Sequence, residues 1–128
     1  MAENSEEFSG LDASDRIVAS LIKHQVDFII IGGYAVIYHG YVRDTKDLDV
    51  FIRRTEENAR KTVSALEEAG FTSPDLKPEV FTADNGISLG EAPSQVDILS
   101  SLRGITFEEA WSRREVSHFG PNETNFIA

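Results

Sequence analysis

The run KDLDVFIR, residues 46–53, constrains this chain more than any other stretch. Charged and apolar residues alternate through it, the period of a β-strand whose two faces meet different surroundings. Asp47 and Asp49 then share one face, roughly 7 Å apart, while Leu48 and Val50 point to the other side. Just upstream, VDFIIIGG (26–33) reads as a buried strand that ends where a glycine pair, Gly32 and Gly33, begins. Aspartate is costly to bury and glycine is costly to order, so neither pair is explained by sheet stability alone.

The remaining segments alternate in the same manner. SDRIVASLIKHQ (14–25) has Ser14 as a cap and Ile17, Val18, Leu21 and Ile22 at helical spacing. YAVIYHG (34–40) reads as a short helix closed by Gly40, with strand as the other option for its aromatic and β-branched content. TEENARKTVSALEEAG (55–70) is the clearest helix: Thr55 caps it, acids fill its first turn, Ala59, Val63 and Leu66 form a stripe, and Gly70 ends it. EVFTA (79–83) and GISLG (86–90) read as short strands around an Asp84-Asn85-Gly86 turn, and SQVDILSSL (94–102) as a further strand. TFEEAWSRRE (106–115) carries a capping box, Thr106 with Glu109, before terminal strands VSHFG and NFIA. The expected fold class is α/β (α+β), a mixed sheet flanked by helices, with residues 1–11 a flexible leader and 12–128 one domain.

Composition narrows the setting. The chain has 128 residues, 41% of them hydrophobic, and no cysteine, so it holds a proper core without disulfides or thiolate metal sites. No apolar run approaches the roughly 18 residues of a membrane span, and MAENSEEFSG is too acidic and polar for a signal peptide, so the expectation is a cytoplasmic protein. A net charge of −10 argues against broad contact with nucleic acid, which needs Lys and Arg to displace counterions.

A third aspartate, Asp97 in QVDIL, stands between Val96 and Ile98, which mark a buried strand face. Carboxylates this close repel unless a cation sits between them. Mg²⁺, or Mn²⁺ in its place, takes hard oxygen ligands from a few carboxylates and from substrate phosphates. Asp47, Asp49 and Asp97 on neighbouring strands suit two such ions about 4 Å apart, an arrangement that activates a hydroxyl and stabilises a leaving pyrophosphate. A Gly32-Gly33 turn into a helix lets backbone N–H groups approach the phosphates.

Gly-Gly, thirteen intervening residues, Asp-apolar-Asp-apolar and a distant apolar-Asp-apolar together make a pattern that resembles the nucleotidyltransferase superfamily, the DNA polymerase beta-like fold. GGYAVIYHGYVRDTKDLDVFI, TEENARKTVSALEEAGF, GEAPSQVDIL and GITFEEAW look like small bacterial nucleotidyltransferase-like proteins related to abortive-infection and toxin–antitoxin nucleotidyltransferases. The resemblance covers residues 15 to 128. It implies transfer of a nucleoside monophosphate from an NTP to an acceptor hydroxyl on RNA, protein or a small molecule, with Mg²⁺ on Asp47, Asp49 and Asp97. Gly32 and Gly33 would bind the triphosphate, and Arg43 and Thr45 the nucleotide or the Asp strand. Such proteins usually continue into helices with a nucleotide-holding basic residue, and the expectation is that those C-terminal helices are lacking here.

Two other classes are open at this level. One is a catalytically impaired binding module, acting as an antitoxin or as the regulatory protein partner of a toxin–antitoxin pair. The other is a glycosyltransferase, disfavoured because it leaves the Gly-Gly turn unexplained. Trp111 and Phe107, one helical turn apart, read as core packing, and His39 as a packed helix residue; His24 and His118 lack zinc spacing. NFIA, as an exposed terminal strand, is open to pairing in a homodimer.

Overall fold

The computed structural model describes residues 13–31, 48–83, 86–89 and 95–127. The elements are α1 (Ala13–Lys23), β1 (Phe28–Ile31), β2 (Leu48–Ile52), α2 (Glu56–Glu68), α3 (Pro78–Thr82), β3 (Gly86–Leu89), β4 (Val96–Leu99), α4 (Phe107–Ser112), β5 (Glu115–Phe119) and β6 (Asn122–Phe126). The strands form one mixed sheet in the order β3-β4-β2-β1-β6-β5. β2 runs antiparallel to β1 and parallel to β4, and β1 runs parallel to β6. The α/β expectation is met.

The alternation in β2 does what its period requires. Leu48, Val50 and Ile52 enter one apolar cluster with Phe28, Ile30, Val96 and Ile98, and α1, α2 and α3 cover that face. Phe51 goes to the opposite face, where Ile29, Ile31, Phe107 and Ala110 form a second cluster with Leu99 and Trp111 packed against it. Phe107 and Trp111 stack at 5.4 Å, so the core reading of that pair holds. Both faces of the central strands β1 and β2 are therefore mostly apolar, and a polar residue pointing from one of them stands out.

Capping sets the helix limits. Thr55 accepts the Asn58 amide at the start of α2, and Thr106 and Glu109 complete the capping box at the start of α4. α2 ends in a reciprocal pair of bonds, Phe71 N to Leu66 O and Gly70 N to Glu67 O, with Gly70 at φ +102°. α1 ends in the same way, Val26 N to Leu21 O and Gln25 N to Ile22 O, but the residue at positive φ is Gln25.

Four expectations need correction. Ser14 lies within α1, buried, instead of capping it. Ile22 leaves the apolar stripe and is exposed, because Ile17, Val18 and Leu21 already fill the contact with the sheet. EVFTA is not a strand: Pro78 opens α3, where its missing N–H costs nothing, and one helical turn brings Phe81 fully into the core. NFIA is not an edge, since β6 pairs with β5 on one side and β1 on the other, and Ile127 N donates to Ile30 O. Among the described residues no helix is long and apolar enough to cross a membrane.

Candidate active site

The register of four strands places one row of residues side by side. Ile31 of β1 is partnered with Asp49 of β2, Asp49 with Asp97 of β4, and Asp97 with Ser88 of β3. Asp49 and Asp97 thus stand on adjacent parallel strands at the same level. Because side chains alternate, they share the face that carries Phe51 and Leu99 one step further along. Apolar packing from α4 closes the Phe51–Leu99 end of this face, and the carboxylates occupy the other end. Both are half-buried. Gly32 and Gly33 follow Ile31 directly in the sequence, and Asp47 immediately precedes Leu48.

Asp97 is held by neighbours. Ser88 Oγ donates to its Oδ1 at 2.6 Å, and Gln95 Nε2 donates to the same oxygen at 3.0 Å. Burial pushes the Asp97 carboxyl up, but these two bonds, with a hydrogen bond shared with the Asp49 carboxyl, outweigh it and hold the group below the usual carboxylate range. Two ionised carboxylates set side by side on adjacent strands repel, and a cation placed between them satisfies both. β3 comes close enough for this contact because Gly86 has no side chain. A Cβ there would lie 2.6 Å from the Ile98 carbonyl oxygen.

Of the residues expected from the sequence, Asp49 and Asp97 come together. Gly32, Gly33, Arg43, Thr45, Asp47 and His39 lie outside the described residues. Among the described residues no group of three or more His, Asp or Glu is assembled to hold a metal ion. The oxygen-only pair Asp49 and Asp97 suits a hard divalent cation, with further oxygens to come from phosphates or water. Ser88 and Gln95 escape sequence reasoning. Their only signal is positional: Ser88 is the polar residue between Ile87 and Leu89, on the strand face opposite theirs, and Gln95 lies two residues before Asp97 on the same strand face. His24 instead bonds Glu68 at 2.6 Å, and His118 is exposed on β5. A cleft of about 340 Å³ between Phe51, Arg53, Thr55, Ser101 and Thr106 opens at the opposite ends of β2 and β4, away from the carboxylates.

A mixed sheet that sets two aspartates level on adjacent parallel strands fits a nucleotidyltransferase, the class expected from the Gly-Gly and Asp-x-Asp pattern. A family model described as aminoglycoside-2''-adenylyltransferase matches residues 15–118, and the chain belongs to that family of nucleotidyltransferases. The match says nothing about toxin–antitoxin pairing. Neither the curated proteins nor the solved structures give a match.

Proposed function

We propose that this chain is a metal-dependent nucleotidyltransferase that moves an adenylyl group from ATP to a hydroxyl of an aminoglycoside-like amino sugar. The observation that supports this most is the level placement of Asp49 and Asp97 on adjacent strands, within a chain of an adenylyltransferase family. The family's description supplies the adenylyl donor and the amino sugar. The net charge of −10 favours a cationic acceptor over RNA, whose phosphates it would repel.

In this reading Asp47 and Asp49 would hold the cations, and Asp97, beside Asp49 on β4, would ligate nearer the acceptor. Mg²⁺ or Mn²⁺, when bound, would lower the pKa of the acceptor hydroxyl and neutralise the charge that develops on pyrophosphate. The acceptor oxygen bonds to the α-phosphorus, the bond from that phosphorus to the bridging oxygen breaks so that pyrophosphate leaves with the electron pair, and the hydroxyl proton passes to solvent water. The chain's part is positional. The Gly32-Gly33 amides would bind the triphosphate and Arg43 and Thr45 the nucleotide, while the bonds from Ser88 and Gln95 fix the Asp97 carboxylate before substrate arrives. Preset geometry of this kind is where much of the rate of phosphoryl-type transfer comes from.

The test uses ATP labelled at the α-phosphate, with Mg²⁺, offered to aminoglycosides, to RNA and to protein, with the unmodified chain and with Asp49→Asn and Asp97→Asn. Label on an aminoglycoside that both variants fail to transfer is the expected result. Label on RNA or protein would reassign the acceptor. ATP binding with no transfer to any acceptor would sink the enzyme reading and leave a regulatory module of the toxin–antitoxin kind.

A further inference from the structure

The hydrogen bonds from Ser88 and Gln95 to Asp97 fall on a single oxygen. Ser88 Oγ and Gln95 Nε2 reach Oδ1 at 2.6 and 3.0 Å, and Gln95 Nε2 also lies 3.4 Å from Ser88 Oγ. The serine hydroxyl donates to the carboxylate while accepting from the amide, so three side chains from β3, β4 and the residue before β4 lock one another in place. A carboxylate oxygen has two acceptor positions. At Oδ1 both are used, and a cation approaching Asp97 meets Oδ2.

This matters because cations differ in how they use carboxylates. Mg²⁺ and ions of its size demand a near-ideal octahedron, whereas Ca²⁺ readily takes both oxygens of one carboxylate into a larger, flexible shell. We infer that Ser88 and Gln95 are positioning residues that confine Asp97 to one-oxygen ligation and so fit the site to a small octahedral cation in preference to Ca²⁺. The inference rests on the reading of Asp97 as a cation ligand. The competing account of the Ser88–Asp97 pair is purely structural: a cross-strand contact that fastens edge strand β3 to β4.

The experiment separates the two. The full chain is titrated with Mn²⁺, followed by the spin-resonance signal of the free ion, and with Ca²⁺ by calorimetry; thermal unfolding is recorded in EDTA. The variants are Ser88→Ala with Gln95→Leu, Ser88→Thr, and Asp97→Asn as reference. Loss of the outer contacts is expected to weaken Mn²⁺ by about 10–100-fold with much less effect on Ca²⁺, so the preference falls, while Ser88→Thr, which keeps the hydroxyl, holds it. Should the double variant not unfold cooperatively, Gln95→Leu alone carries the comparison, with a smaller loss expected. A lower unfolding temperature in EDTA with an unchanged Mn²⁺-to-Ca²⁺ preference would overturn the inference and leave Asp97 as a ligand. If Asp97→Asn binds Mn²⁺ as tightly as the unmodified chain, or if the unmodified chain binds none, the ligand reading itself fails and this inference fails with it.

Discussion

Asn58 bonds both backbone groups of Asp27: its Oδ1 accepts the Asp27 amide at 2.8 Å, and its Nδ2 donates to the Asp27 carbonyl at 3.1 Å. The same Nδ2 donates to the Arg53 carbonyl at 2.8 Å. One buried side chain in the first turn of α2 thus ties the residue before β1 to the residue after β2. The two strands are antiparallel partners, so fixing these ends also fixes the register that sets Asp49 beside Ile31. Asn58→Ala leaves the Asp27 amide and the Arg53 carbonyl without this partner in a buried setting, and about 2–4 kcal/mol of stability should go with it. Thr55→Ala, which removes only the cap of the same helix, should cost about 1 kcal/mol. Urea unfolding of the two variants checks the order, and equal losses would show that Asn58 acts only as part of the cap.

The matching ends of α1 and α2 give a gain where Asn58 gives a loss. Gly70 and Gln25 hold equivalent positions, and both have positive φ, +102° and +59°. Gln25 is exposed and bears a Cβ in a conformation that costs an ordinary residue about 1–2 kcal/mol. Gln25→Gly should therefore stabilise the fold by about 0.5–1 kcal/mol, less than the strain because glycine is freer when unfolded. Gly70→Ala should destabilise by a similar amount, and thermal unfolding that moved both variants the same way would refute the comparison.

Glu68 provides the pH dependence. Lys23 Nζ lies 2.5 Å from its Oε2 and His24 Nε2 lies 2.6 Å from its Oε1, joining the end of α2 to the end of α1. The Lys23 bond first and the His24 bond second hold the Glu68 carboxyl below its ordinary value of 4.5, against a smaller opposing effect of burial. A carboxylate lowered by folding stabilises the fold above its unfolded pKa, and that stability disappears as pH falls through the lower folded value. The stability gap between the native chain and Glu68→Gln should hold at pH 5 and close as the pH drops below 4.5. Lys23 is 43% exposed, so the gap should be no more than about 1 kcal/mol. Denaturation at a series of pH values checks the sign, and a gap that widened in acid would contradict it.

Much of this arrangement is legible in the sequence because it rests on periodicity. Leu48 and Val50 alternate with Asp49, Val96 and Ile98 bracket Asp97, and two aspartates set this way are bound to share a face once β2 and β4 pair. What periodicity cannot carry is partner choice. Asn58 reads as one more polar residue in an acidic first turn, and only the tertiary approach of two strand ends gives it three bonds. Ser88 and Gln95 matter because β3 pairs with β4 in a register that no local pattern encodes. The misreading of EVFTA is of another kind. Its valine and phenylalanine suit a strand, but a proline at a helix start and the burial of one ring prevail over propensity in five residues.

The carboxylate pair should also make the fold weaker than it need be. Asp49 and Asp97 sit level on adjacent strands, and two ionised carboxylates so placed repel. In Asp49→Asn the amide donates to Asp97 without bringing a charge, so at neutral pH and in EDTA this variant should be more stable than the native chain by about 0.5–2 kcal/mol, as substitutions that relax a strained site commonly are. Divalent cation should act in the opposite direction. A ligand that binds only the folded state stabilises by RT ln(1 + [L]/Kd), about 2.7 kcal/mol at a hundredfold excess over Kd, and the native chain receives this while the variant receives little. Thermal unfolding in EDTA and then in Mg²⁺ with ATP should therefore show the variant ahead in the first condition and level or behind in the second. A variant already less stable in EDTA would mean that Asp49 is held by contacts worth more than the repulsion, and that the pair is a structural feature of the sheet instead of a site waiting for a cation.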